Sequence, residues 1–185
     1  MATPERYNLK EVLCTYLETK NITLYAHGPT GTEPIGRHLM HHGSRTMVAY
    51  CKPWHWANIT TEYAHHTHIL VLRDPVEQHK HASFLHAMSM DQVQRKRENM
   101  FYATHLSPYL KTVSKGEFDF YIPFEKLHKY LDNEWQQPSP PAVETGQMFD
   151  LGEDIVAYEW IKQNKMELSV KQWNQLIIDG QLQGI

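Results

Sequence analysis

Cysteine is almost absent from this 185-residue chain: Cys14 and Cys51 are the only two. That excludes a disulfide scaffold and any zinc site built from paired cysteines, and a reduced cytoplasmic compartment is the simpler expectation. Long apolar runs are missing too; none approaches the ~20 residues of a membrane-spanning helix, and positions 1–10 hold no apolar segment of the signal-peptide kind. No basic excess exists either. The formal charge is −3, which argues against a general nucleic-acid binder. No internal repeat or low-complexity tract is visible, and no His-Glu-x-x-His occurs. What remains is an apolar fraction of 41% with 21% charged residues, enough for one globular domain with a real core.

Histidine is abundant. The chain has 13, so its net charge turns positive as pH falls below about 6.5. His38 and His42 share a face of an expected helix, and His65, His66 and His68 are dense, as are His79, His81 and His86. Without a ligand set of fixed spacing, these read as solvent-facing or hydrogen-bonded histidines, and no metal site is expected.

The order of elements is informative. Positions 7–17 place apolar residues at a helical period and predict a short amphipathic helix. Ile22-Thr-Leu-Tyr-Ala26 reads as a buried strand running into the turn His27-Gly-Pro-Thr-Gly-Thr32, after which Pro34 suits the first turn of a helix. Thr46-Met-Val-Ala-Tyr-Cys51 is a second strand, stopped at Lys52-Pro53. In Thr67-His-Ile-Leu-Val-Leu72, four consecutive aliphatic residues predict a strand buried on both faces. Pro75 opens a helix to about position 89, a long helical stretch follows over 91–113, Phe118-Asp-Phe-Tyr-Ile122 is a fourth strand, and 123–131 a further helix. Strands alternating with helices predict an α/β fold with a parallel sheet flanked by helices. The division expected is a core domain at 1–132, a proline-rich linker or arm at 133–151, and a helical C-terminal tail at 152–185 with Ser169 as an N-cap.

Two stretches can carry chemistry. In open α/β sheets, ligands bind beyond the carboxyl ends of the strands, where backbone N–H groups collect anions. Gly28 and Gly31 permit close approach there, and Thr30 and Thr32 offer hydroxyls. Gly31 and Gly36 have the spacing of a nucleoside-triphosphate loop, but Arg37-His38 stand where lysine and a magnesium-binding hydroxyl belong. A magnesium-dependent, kinase-like enzyme rests on that spacing alone. Second, Arg73 leaves the buried strand and precedes a helix start, a good place for a phosphate fork. The competing reading is an ion pair with Asp74 or Glu77 that fixes the turn.

In this order the pieces resemble the sulfotransferase family. Gly28-Pro-Thr-Gly-Thr32 is similar to its 5′-phosphosulfate loop, and Ile69-Leu-Val-Leu-Arg-Asp-Pro-Val-Glu77 to the strand and turn that bind the donor's 3′-phosphate. Phe120-Tyr-Ile-Pro-Phe-Glu-Lys-Leu127 resembles a later strand signature, and Phe101-Tyr-Ala-Thr-His-Leu-Ser-Pro-Tyr109 the acceptor-side helix. The resemblance covers residues 20–131 and implies a P-loop-like fold. It implies transfer of a sulfuryl group from 3′-phosphoadenosine 5′-phosphosulfate to a hydroxyl or amine, without a metal. Thr30, Gly31 and Thr32 would then hold the 5′-phosphate, and Arg73, with His81 and Ser83, the 3′-phosphate. Lys52 would stabilise the transferred group and His55 would act as base. The chain departs from the family at Pro29, where the loop lysine belongs, at Glu33 in place of a hydroxyl, and at His81 in place of serine. These departures favour a second reading: a catalytically inactive binding or assembly module that keeps the fold. In either case, the partners expected are the sulfonated nucleotide and an acceptor, or another copy of the chain through the tail, rather than nucleic acid or membrane.

Overall fold

Four consecutive buried residues, Ile22 to Tyr25, already require a strand with neighbours on both sides and layers on both faces. In the computed structural model that strand is central. Residues 12–13, 22–26, 30, 34–35, 37–38, 47–49, 53–86, 105–108, 118–132 and 149–179 are described. In chain order they give β1 (Val12–Leu13), β2 (Ile22–Tyr25), β3 (Met47–Ala49), α1 (Pro53–Glu62), β4 (Thr67–Leu72) and α2 (Pro75–His86). Then come β5 (Phe120–Pro123), a 3-10 turn (Phe124–Lys126), α3 (Leu127–Tyr130), α4 (Gly152–Asn164), β6 (Met166–Glu167) and α5 (Val170–Asp179). The strands form one sheet in the order β1-β3-β2-β4-β5-β6. From β3 to β6 all neighbours are parallel, with Leu24 opposite Val48 and Ile69, and Leu70 opposite Tyr121; only β1 runs antiparallel, at the edge. The chain is α/β, with a parallel sheet between helices.

Alternation along the strands sorts the core into two layers. Ile22, Leu24, Ile69, Val71, Phe120 and Ile122 face a layer made by Ile35, Leu127, Tyr130 and the apolar side of α5. Tyr25, Leu70 and Leu72 face the other way, onto Trp56 of α1 and Tyr158 and Ile161 of α4.

Helix starts follow from local chemistry. Pro53 and Pro75 occupy first positions, where the missing N–H has no role. Asp74 caps α2: its Oδ1 accepts from the N–H of Val76 at 2.9 Å and of Glu77 at 3.2 Å. Before α5 the expected cap is present as a reciprocal box, with Gln172 N–H on Ser169 Oγ (3.1 Å) and Ser169 N–H on Gln172 Oε1 (2.9 Å). Asp132, with φ of 55°, turns the chain out of α3 in the left-handed region.

Three expectations need correction. The helix over 7–17 is replaced, in its described part, by strand β1, because pairing with β3 outweighs a weak helical period. Pro53 opens α1, a helix the sequence pattern did not indicate; positions 50–52, where the second strand was expected to stop, lie outside the described residues. The C-terminal tail is not purely helical: Met166 pairs with Phe120 and Glu167 with Tyr121, adding β6 to the sheet. Beyond β6, Leu168, Trp173, Leu176 and Ile177 enter the main core, and the Trp173 indole N–H donates to Tyr130 O at 3.1 Å. The Tyr130 hydroxyl donates in turn to Leu168 O.

At the amino edge of the sheet the dense histidines are structural. His66 Nδ1 is 2.9 Å from Thr23 Oγ1, and burial, with His65 and His68 beside it, holds it down at about 4, uncharged at neutral pH. Thr60 donates its hydroxyl to Trp56 O (2.8 Å), so Tyr25 O–H donates to Thr60 Oγ1 (3.1 Å) and His68 Nδ1–H to Tyr25 (2.8 Å).

Candidate functional site

From β2 the chain crosses to β3 over the face that holds Ile35; from β4 it crosses to β5 over the opposite face, where α2 meets α4. Right-handed crossovers that leave in opposite directions must use opposite faces. The strand order therefore switches between β2 and β4, and their carboxyl ends leave the crevice in which such sheets bind ligands. Thr30 follows β2 at that end and is fully buried. Arg73 is the first residue after β4.

Arg73 is only 5% exposed, and its guanidinium lies 4.2 Å above the ring of Phe124, which follows β5. Burial pulls the group down to about 10, against the opposing pull of Glu77 and Asp74, so it stays charged at neutral pH. A buried guanidinium is costly to maintain, and the geometry of its fork suits two oxygens of a carboxylate or a phosphate. The Asp74 carboxylate is engaged with the amides of α2, and Glu77 lies 3.6 Å from Lys80. His81, two turns into α2, is half-buried; burial first, then the charge of Arg73, keep its imidazole below its ordinary value. Arg73 and His81 therefore share one local field.

Of the residues expected at the site, Thr30, Arg73 and His81 lie at or next to this carboxyl edge. His55 falls in the first turn of α1, which leaves β3 at the same edge, and Ser83 falls within α2; for both, only the backbone is described. Gly31, Thr32 and Lys52, with Pro29 and Glu33, lie outside the described residues. Among the described residues, no group of three or more His, Cys, Asp or Glu side chains converges on a metal position. No described helix is long and apolar enough to cross a membrane.

One constellation escaped the sequence. His105 Nδ1–H donates to Asp154 Oδ2 at 2.6 Å, while Asp154 Oδ1 accepts from the N–H of Leu106 (2.6 Å) and Ser107 (2.9 Å). Both side chains are buried. Burial alone would raise the Asp154 carboxyl, but the bonds from His105 and the two amides outweigh it and hold it below its ordinary value. The Phe149 ring stands edge-on to His105 at 5.1 Å and to His79 at 6.1 Å. His79 is itself buried and is held down by that burial and by His105. Asp154 sits in the first turn of α4, which runs through Lys165 straight into β6. Because β6 is parallel to β5, the start of α4 lies at the carboxyl edge, the edge that holds Arg73. Forty-nine positions separate the partners, so no local spacing could announce them.

Comparison with protein-family models, with curated proteins and with solved structures gave no match for this chain.

Proposed function

We propose that this chain is a sulfuryl transferase with a sulfotransferase-like, P-loop-type arrangement. It takes 3′-phosphoadenosine 5′-phosphosulfate as donor and a hydroxyl or amine as acceptor. The observation that carries the reading is the buried Arg73 guanidinium at the carboxyl end of β4, beside the switch point. A planar fork held against Phe124 loses little freedom when it takes two phosphate oxygens, and His81 adds a second donor when protonated. Thr30, Gly31 and Thr32 receive the 5′-phosphate from the β2 side in this proposal, through hydroxyl and backbone N–H donors. Lys52 and His55, next to the end of β3, serve charge stabilisation and proton removal. Transfer then depends on positioning and on fixed positive charge where negative charge develops on the bridging oxygen.

The test is calorimetric titration with 3′-phosphoadenosine 5′-phosphate. Charge-assisted bonds of this kind contribute about 1.5–3 kcal/mol, so Arg73→Ala should weaken binding roughly 10- to 100-fold. Arg73→Lys, which keeps the charge and loses the fork, should fall between. Clean absence of binding by the unaltered chain would reject the donor site and favour the inactive assembly module, which Pro29 and Glu33 suggest.

A further inference from the structure

We propose that the turn between α1 and β4 is an acid-opened latch, closed on β2 by the neutral imidazole of His66 and released when that ring takes a proton. The latch lies at the amino edge of the sheet and stands apart from the donor reading. Between Thr61 and Thr67, His66 is the one buried residue; Thr61, Glu62, Ala64 and His65 are exposed, and Tyr63 and Thr67 are half-buried. The ring therefore plugs a turn that is otherwise at the surface, and lifting the turn wets the ring without opening the core. His66 Nδ1 lies 2.9 Å from Thr23 Oγ1 on β2, and the turn closes behind it with His66 N–H donating to Tyr63 O at 2.9 Å. The rings of His65 and Tyr63 stand at 4.6 Å and 4.9 Å from it.

The surroundings set the sign. A proton on His66 places a charge in a buried site, and His65 and His68 oppose it; a bond to the backbone of Ile22 favours the charge and is outweighed. Among the described residues, β2 brings Thr23 to the ring and β4 brings the field of His68, while the turn supplies Tyr63 and His65. Glu62, the last residue of α1, is exposed, and ahead of β5 the Asp119 carboxylate accepts from the N–H of His68 at 2.8 Å. In the closed turn the ring titrates at about 4, and in the open turn near the ordinary histidine value of 6.5. Opening is therefore favoured as pH falls below about 6.5 and levels off near 4. One turn back, the bonds from Tyr25 to Thr60 (3.1 Å) and from His68 to Tyr25 (2.8 Å) still hold α1 to the sheet, so the motion stops short of Thr60.

Native-state hydrogen exchange of the full chain reads the opening at the His66 amide, with rates corrected for the pH dependence of the exchange chemistry. The opening constant should rise about 30-fold from pH 7.5 to pH 5. It should hardly respond to low urea, because little surface is exposed, whereas Leu70 and Val71 of β4 should follow global unfolding with its full urea dependence. His66→Gln, which keeps a hydrogen-bonding side chain and cannot titrate, should hold the rise within about twofold. Where that variant fails to fold, the unaltered protein decides: its His66 ring, followed by nitrogen NMR, should titrate well below 6.5. A rise that survives in His66→Gln, a folded-state ring that titrates at or above 6.5, or a urea dependence at His66 equal to that at Leu70 overturns the latch.

Discussion

Removing the Asp154 carboxylate should be one of the most damaging single changes in the described part of the molecule. Asp154→Ala strands three donors at once: the buried His105 Nδ1–H and Leu106 amide, and the half-buried amide of Ser107. Each buried donor left without an acceptor costs about 1–3 kcal/mol, and local relaxation recovers part, so a loss of about 3–5 kcal/mol follows. Asp154→Asn keeps the shape and an oxygen for the two amides. It forces His105 to accept rather than donate at Nδ1, and a loss of about 1–2 kcal/mol is expected. The pH dependence separates the two effects. The folded carboxyl lies below its ordinary value, so its contribution is fully present above about pH 4 and is lost as pH falls through the folded value. Asp154→Asn should therefore flatten the acid limb of stability as well as lower the plateau. Urea unfolding of the three proteins at neutral pH and at steps from about pH 4 down to about pH 2 measures both. A loss under about 1 kcal/mol in Asp154→Ala would refute the reasoning, because it would mean that water satisfies all three donors.

Three further outcomes follow from the packing and the field at the site. Trp173→Ala should lose about 3–5 kcal/mol in the same unfolding assay, since the indole is 2% exposed and bonds to Tyr130; a loss near zero would make the C-terminal segment a dispensable appendage. Ser169→Ala should cost about 1 kcal/mol through the lost cap of α5, and Gln172→Ala added to it should cost less than it does alone, because the box is reciprocal. Binding of 3′-phosphoadenosine 5′-phosphate should take up protons. Burial and then the charge of Arg73 hold His81 down; an anion at Arg73 relieves the second, so affinity rises as pH falls below the ordinary histidine value of about 6.5. Titration in buffers of different ionisation enthalpy reads the uptake directly, and identical heats would argue against His81 at the phosphate.

Elements whose own residues demanded burial were readable from the sequence. Ile69-Leu-Val-Leu72 admits only a strand covered on both faces, and β4 is one, with all four side chains buried. Pro75 after Arg73-Asp74 and Ser169 three residues before Gln172 carry their helix starts in local chemistry. Elements that exist through a distant partner were not readable. Val12–Leu13 is a strand because β3 lies beside it, and Met166–Glu167 is too short to show a period and owes its place to β5. Among the described side chains of α1, Trp56 is the one that enters the core, and the run from Pro53 to Glu62 carries no regular apolar stripe to reveal a helix. The same division holds at the site. Arg73 was legible from its place at a strand end, whereas the His105–Asp154 pair is made by the fold, across 49 positions.

In the proposed function the donor nucleotide occupies the crevice between the carboxyl ends of β2 and β4. Hydrogen exchange of the full chain with and without saturating 3′-phosphoadenosine 5′-phosphate tests it most directly. Protection should concentrate where β2 ends, up to Thr30, and where β4 passes through Arg73 into the first turns of α2. The amino edge around His66 and His68 should exchange as before. Protection at the amino edge, or none at Arg73, would contradict the account.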